Sequence, residues 1–158
     1  MDPDMLTWFE PPQPVDEAEV AAVERALGVV FPADYRSFLR RFQGGYPEQT
    51  DFPLNDPRKS IAAVGVFLSV RPERDTDYLL TARDMLQDRL PARVIPIAMG
   101  PEGDYVCLDY RAAAPAVVYW HHERSGSDEL TPIANSFGEF ISLLYEPDIE
   151  AESALDRA

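Results

Sequence analysis

The sequence contains one cysteine, two histidines and one lysine, and it has no long apolar run. The single cysteine, Cys107, excludes an internal disulfide and is typical of a protein from a reducing compartment. No apolar stretch approaches the roughly 20 residues that a membrane-spanning helix needs. The N-terminus shows neither the basic segment nor the apolar run of a signal peptide. Together these features predict a cytoplasmic protein.

The length of 158 residues is within the usual range for one domain, and 46% of the residues are hydrophobic. We predict an extended N-terminal lead-in over residues 1–14, a single domain over residues 15–146 and an acidic C-terminal tail over residues 147–158. The lead-in contains four prolines, and we expect its aromatic side chains, Trp8 and Phe9, to pack on the domain.

Acidic residues outnumber basic ones by 28 to 14, which leaves a formal net charge of −14. The electrostatic field of this negative charge repels phosphate backbones and anionic lipid surfaces. We therefore expect neither nucleic acid nor a membrane as a partner. The same field favours association with a basic protein. Acidity also serves solubility, and the charge alone favours that simpler interpretation.

Capping residues predict the first and last helices. Asp16 with Glu19 three positions later forms a capping-box pattern, and Gly28 is placed to end the helix that follows. Ser136 with Glu139 repeats this pattern near the end of the chain.

Apolar spacing predicts two more helices. Pro32 begins one whose core-facing stripe is Tyr35, Phe38, Leu39 and Phe42. That helix ends before the pair Gly44-Gly45, because glycine tolerates a left-handed exit. The apolar residues of the other helix, which Pro91 ends, are Leu79, Ala82, Met85, Leu86 and Leu90.

The remaining pattern predicts a loop over residues 46–60 and strands over 61–70, 93–98, 105–110 and 116–122. The last three strands follow one another through short connections, which is typical of an antiparallel meander. We therefore predict an α+β fold, in which N-terminal helices and a C-terminal helix pack against a mostly antiparallel sheet.

No constellation of residues indicates catalysis. His121 and His122 are adjacent on a predicted strand, so their side chains point to opposite faces and do not bind one metal ion together. The sequence has neither a Gly-x-Ser-x-Gly elbow nor a phosphate-binding loop ending in Gly-Lys-Ser/Thr. Paired carboxylates are too abundant in this acidic chain to identify an acid and base couple. We predict no enzyme activity, no metal and no cofactor.

Several segments together resemble the SUKH superfamily of Smi/Knr-like proteins. In the first half these are residues 16–28, residues 31–39 and the pair Gly44-Gly45. In the second half they are residues 94–98, residues 103–109 and residues 133–137 with Phe140. The match runs in order over about residues 15–145, which is more specific than any single motif.

The resemblance implies a SUKH-like fold and a protein that acts by binding another protein. Bacterial members of the family are widely inferred to be immunity proteins that neutralise a toxin, frequently a nuclease. The leading hypothesis is therefore stoichiometric binding of a cognate toxin, for which a basic nuclease domain would suit the acidic charge. The alternatives are an interaction or regulatory module without a toxin partner and, as a third class, a small enzyme.

We predict a partner-binding face on the sheet surface and the turns at strand ends, formed by Tyr46, Glu102, Asp104, Asp109, His121 and Glu123. The alternative is a solvated acidic rim that binds nothing. Reversal of Asp104 and Glu123 to lysine is expected to slow a salt-sensitive association while leaving the melting temperature nearly unchanged.

Overall fold

A computed structural model describes residues 3–10, 12–72 and 77–147. Most of the predicted acidic tail, residues 148–158, lies outside the described residues. The helices are α1 (Glu17–Leu27), α2 (Ala33–Phe42), α3 (Leu79–Leu86) and α4 (Phe137–Leu143). The strands are β1 (Trp8–Glu10), β2 (Tyr46–Pro47), β3 (Asp51–Pro53), β4 (Ile61–Ala63), β5 (Val66–Phe67), β6 (Val94–Met99), β7 (Tyr105–Asp109), β8 (Ala116–Trp120) and β9 (Leu130–Ala134). None of the helices in these ranges has the length and apolar character needed to cross a bilayer.

The predicted caps of the first and last helices are confirmed. The Asp16 side chain accepts a hydrogen bond from the Glu19 N–H at 2.8 Å, and the Glu19 side chain accepts one from the Asp16 N–H. Gly28 ends α1 with a φ of 71°, in the left-handed region that glycine adopts readily. The Ser136 hydroxyl accepts a hydrogen bond from the Glu139 N–H at the start of α4.

The predicted antiparallel meander is also confirmed. Strands β5 to β9 form one sheet in sequential order, with every neighbouring pair antiparallel. Two smaller sheets, β1 with β2 and β3 with β4, lie outside it, so the fold is α+β as predicted. The turn from β6 to β7 closes through a 2.8 Å hydrogen bond from the Gly100 N–H to the Asp104 carbonyl oxygen.

Aromatic rings join the helices to the sheet. On α2, Tyr35 and Phe38 contact Phe137 of α4 with ring centroids 4.9 and 5.0 Å apart. Phe38 also reaches Phe67 on β5 at 4.9 Å. A further link between α2 and α4 is polar, because the Asp34 carboxylate accepts a 2.9 Å hydrogen bond from the Gly138 N–H. The predicted core stripe of α2 thus packs on both the last helix and the sheet.

Some local predictions are wrong. The expected loop over residues 46–60 contains strands β2 and β3, and the expected single strand over 61–70 is split into β4 and β5. The split falls at Gly65, where an added Cβ would lie 3.1 Å from the Met99 carbonyl oxygen. Strand β9 was not predicted. Phe9 and Met85 are 73% and 71% exposed rather than packed, whereas Trp8 packs on the core.

Candidate protein-binding surface

Four of the six residues predicted to bind a partner surround one cavity of about 340 Å³. It lies between the β6–β7 turn, the segment after β8 and the segment before β4. We call it the charged cleft, and its lining residues are Arg58, Lys59, Glu102, Asp104, His121, His122, Glu123 and Arg124. The cleft therefore combines carboxylates with basic side chains from distant parts of the sequence.

Asp104 organises the floor of the charged cleft. It is only 7% exposed, and its carboxylate accepts hydrogen bonds from the Tyr119 hydroxyl at 2.6 Å and the His122 N–H at 2.8 Å. The His122 ring nitrogen Nδ1 also lies 2.5 Å from this carboxylate. Burial disfavours the ionised form, but the hydrogen bonds from Tyr119 and His122 outweigh it, so the pKa of Asp104 lies below its ordinary value.

His121 is a buried neighbour of the cleft rather than an exposed contact. It is 4% exposed, its Nε2 lies 2.8 Å from the Thr131 hydroxyl, and its ring meets Tyr119 edge-on at 4.8 Å. Burial, followed by the positive charge of Arg124, lowers the pKa of His121. The imidazole is therefore neutral near pH 7 and serves to fix the strand end.

The basic residues of the cleft are held by carboxylates. Arg124 makes two hydrogen bonds to Asp56, at 2.8 and 3.0 Å, and this pairing lowers the pKa of Asp56. Lys59 lies 3.3 Å from Glu102, and Arg58 is paired with Asp128. The exposed acidic groups at the mouth are Glu102 and Glu123, whose side chains are 72% and 85% exposed. The Arg58 side chain is 58% exposed as well, so both signs of charge reach solvent at the mouth.

The other two predicted residues lie elsewhere. Asp109 is at the opposite end of β7 from the cleft and binds Arg111 through both carboxylate oxygens, at 2.9 and 2.8 Å. The Tyr46 hydroxyl donates to the Asp77 carboxylate at 3.0 Å. The structure therefore brings Glu102, Asp104, His121 and Glu123 together, but it does not add Asp109 or Tyr46 to them.

Sequence reasoning missed the basic residues of the cleft. Asp56 and Arg124 are 68 positions apart, and no spacing rule relates them. The one available signal was Lys59, the only lysine of an arginine-rich chain. Because Asp104 is buried and has three polar neighbours, we expect its reversal to lysine to lower the melting temperature, unlike the expectation drawn from the sequence.

The residues of the charged cleft offer charged groups and hydrogen-bonding groups. Across residues 3–10, 12–72 and 77–147, no three His, Cys, Asp or Glu side chains are placed to hold a metal ion. Cys107 is fully buried, and burial raises the pKa of its thiol far above the ordinary range. The thiol is thus kept protonated and away from solvent.

The Asp104 carboxylate makes stability depend on pH. Because its pKa is lower in the folded chain than the ordinary 3.8, its contribution is present above about pH 4 and is lost as the pH falls through the folded value. Asp104→Asn is expected to cost about 1 kcal/mol at pH 6 and progressively less below pH 4. Urea unfolding at a series of pH values measures this difference. The exposed Glu123→Gln is the control, and a cost for Asp104→Asn that is equal at pH 6 and pH 3 would contradict the assignment.

The chain has an α+β fold, and charged residues from distant parts of its sequence line one cleft. The model of the SMI1 / KNR4 family (SUKH-1) matches residues 14–143, and the chain belongs to this family. The resemblance inferred from the sequence is thereby confirmed.

Two further similarities accompany the family match. A Bacillus subtilis (strain 168) protein, named SPbeta prophage-derived uncharacterized protein YokK, is 27% identical over 161 residues, which cover 87% of this chain and 79% of that protein. A crystal structure of a protein from Pseudomonas syringae pv. tomato aligns with 77% of this chain and 81% of its own, with a TM-score of 0.42 and 19% identity.

Proposed function

We propose that this chain is a cytoplasmic immunity protein that binds a cognate toxin with defined stoichiometry and blocks its activity. The observation that carries the proposal is family membership over residues 14–143, since bacterial SUKH proteins are widely inferred to act in this way. The net charge of −14 adds a preference for a basic partner, such as a nuclease domain with a nucleic-acid-binding surface.

We place the partner-binding face at the mouth of the charged cleft. Glu102 and Glu123 are exposed there and form an acidic rim, beside which the exposed Arg58 is already paired with Asp128. Asp104 and His121 are buried below them and hold the rim in position through Tyr119, His122 and Thr131. On this proposal, the exposed pair meets the partner and the buried pair acts through the geometry of the turn.

The test is co-expression with the toxin encoded beside the gene of this chain. We expect the two proteins to co-elute from a sizing column and the chain to restore growth of cells that express the toxin. The double variant Glu102→Lys/Glu123→Lys is expected to slow association about tenfold at low salt, with a smaller effect at high salt, because rim charges act mainly on the on-rate.

A matched control is Glu17→Lys/Glu139→Lys, which changes the net charge equally at exposed helix starts away from the cleft. Equal slowing by the control pair would show that only net charge matters and would remove the cleft from the interface. Separate elution of the two wild-type proteins, with no protection of growth, would count against the immunity function and favour an interaction module with another partner.

A further inference from the structure

Strand β4 has one edge that pairs with β3 and one that does not. Ala62 lies opposite Phe52. The flanking hydrogen bonds run from Val64 N–H to Thr50 O and from Leu54 N–H to Ser60 O, both 2.9 Å. Because bonded and non-bonded pairs alternate in an antiparallel ladder, Ala62 directs its N–H and C=O to β3, whereas Ile61 and Ala63 direct theirs away. Among the described strands, β4 pairs with β3 alone.

A groove of about 340 Å³ follows this outer edge. It separates β4 from the β6–β7 turn, and we call it the β4 groove. Its lining includes Ile61, Ala63, Pro101, Glu102 and Tyr119. Ile61 is 53% exposed, so its apolar side chain and its outward backbone groups face open space. The carbonyl oxygen of Ala63 lies close to Gly100, where an added Cβ would be 3.1 Å away, so only the outward N–H of Ala63 is offered to a further strand. A segment with an extended backbone can form hydrogen bonds with the outward backbone groups and also cover the Ile61 side chain.

Two other edges, those of β9 and β3, are protected. Strand β9 carries Pro132, which has no N–H to offer. The outer edge of β3 is occupied, because Asp51 and Tyr145 exchange backbone hydrogen bonds of 3.0 and 2.9 Å. Unprotected edges are sites where a further strand adds. The outer edge of β4 has neither a proline nor a paired segment in the described ranges.

Charge selects the kind of segment that fits. The β4 groove adjoins the charged cleft, since Lys59 and Glu102 line both. The exposed charges on the cleft side are Glu102, Glu123 and Arg58, of which Arg58 is paired with Asp128. Lys59 is already paired with Glu102 at 3.3 Å. A positively charged side chain of the segment can replace Lys59 as the partner of Glu102. A carboxylate on the segment would instead be repelled by Glu102 and Glu123. The groove therefore favours a basic segment.

We propose that the outer edge of β4 is a strand-docking site, on which an extended basic segment of the toxin adds beside Ile61 and Ala63. This inference rests on the proposed function, because the segment belongs to the partner that the immunity protein binds. It adds the binding mode: backbone pairing at β4, with charge recognition at Glu102.

Residue-resolved amide hydrogen exchange of the full chain, with and without the co-purified toxin, tests the proposal without any substitution. In the complex we expect exchange at Ile61 and Ala63 to slow at least tenfold, because these amides become hydrogen-bonded. Ala62 is the internal control, since its N–H already points to β3 and is expected to change little.

A pair of substitutions at one position provides the second arm. Ile61→Pro removes an outward N–H without breaking the β3 ladder and is expected to raise the Kd for the toxin about tenfold. Ile61→Val keeps the N–H and most of the apolar surface, and we expect a change below about threefold. Melting temperatures of both variants check that the fold is kept.

The outcomes separate the two proposals. Slowed exchange at Ile61 and Ala63, with weak binding by Ile61→Pro alone, supports strand docking. A stable complex in which both amides exchange as in the free chain overturns the docking site and leaves the immunity function intact. Protection that rises with the concentration of the chain alone would assign the edge to a second copy and would also overturn the proposal. No complex with the wild-type chain overturns both.

Discussion

Replacing Tyr35 with alanine is expected to lower the free energy of unfolding by about 3–5 kcal/mol. The ring is 1% exposed and packs edge-on against Phe31 and Phe137, both at 4.9 Å, so its removal leaves a cavity where α2 meets α4. The total free energy of unfolding of a domain is roughly 5–15 kcal/mol, so this loss is a large fraction of it. Urea unfolding measures it, and thermal unfolding is expected to show a drop of about 10 °C.

Tyr35→Phe is the matched control, because it keeps the ring and removes only the hydroxyl. Burial raises the pKa of this hydroxyl, and its oxygen has no hydrogen-bond partner among the described residues. We therefore expect Tyr35→Phe to be neutral or to stabilise the chain by up to about 1 kcal/mol. A Tyr35→Ala variant of full stability that no longer bound its partner would make Tyr35 a recognition residue instead.

Gly45→Ala is expected to destabilise the chain by about 1–3 kcal/mol through overpacking. A Cβ at this position would lie 2.5 Å from the Trp8 ring, which stacks on Phe42 at 5.5 Å and meets Phe67 at 6.0 Å. The alanine therefore pushes Trp8, and with it β1, away from the core. Denaturant unfolding of the single variant gives the magnitude.

Two controls identify the cause of that loss. In a Trp8→Ala background the close contact is absent, so we expect Gly45→Ala to cost much less there. Gly28→Ala removes a glycine of φ 71° with nothing within 4 Å of the added Cβ, and it reports backbone strain alone. If Gly45→Ala lowers the stability equally with and without Trp8, the contact with Trp8 is not the cause of the loss.

The helices could be predicted from the sequence because their signals are local. A cap and its partner lie three residues apart, as with Asp16 and Glu19, and the apolar stripe of α2 repeats every three or four residues. The meander was also predictable, since strands β6, β7 and β8 have five or six residues each and short connections.

The shorter strands could not be predicted for the opposite reason. Strands β2, β3 and β5 have two or three residues, too few to show alternation, and their formation depends on partners distant in sequence. Strand β9 has an irregular burial pattern and contains Pro132, which argues against a strand in a sequence reading. The charged cleft could not be predicted either, because Asp56 meets Arg124 only after the sheet has formed.

Several residues of the family-like segments have structural roles that explain their types. Glu24 is 8% exposed, and its carboxylate accepts from the Phe31 N–H at 2.7 Å and from Arg36 at 2.8 Å, fixing the link between α1 and α2. Gln43 is 2% exposed and binds the Ser69 hydroxyl and the Gln13 carbonyl oxygen. These side chains maintain the fold.

The contact between α2 and α4 determines when this protein can finish folding during synthesis. The hydrogen bond from Gly138 to Asp34 spans 104 positions, and Tyr35 depends on Phe137 for one side of its packing. A ribosome-bound chain that lacks α4 leaves the stripe of α2 uncovered, since closing so long a loop must await the last helix. Folding of this domain is therefore completed only after α4 has emerged, so a product truncated before α4 is expected to expose this apolar stripe and to aggregate or be degraded.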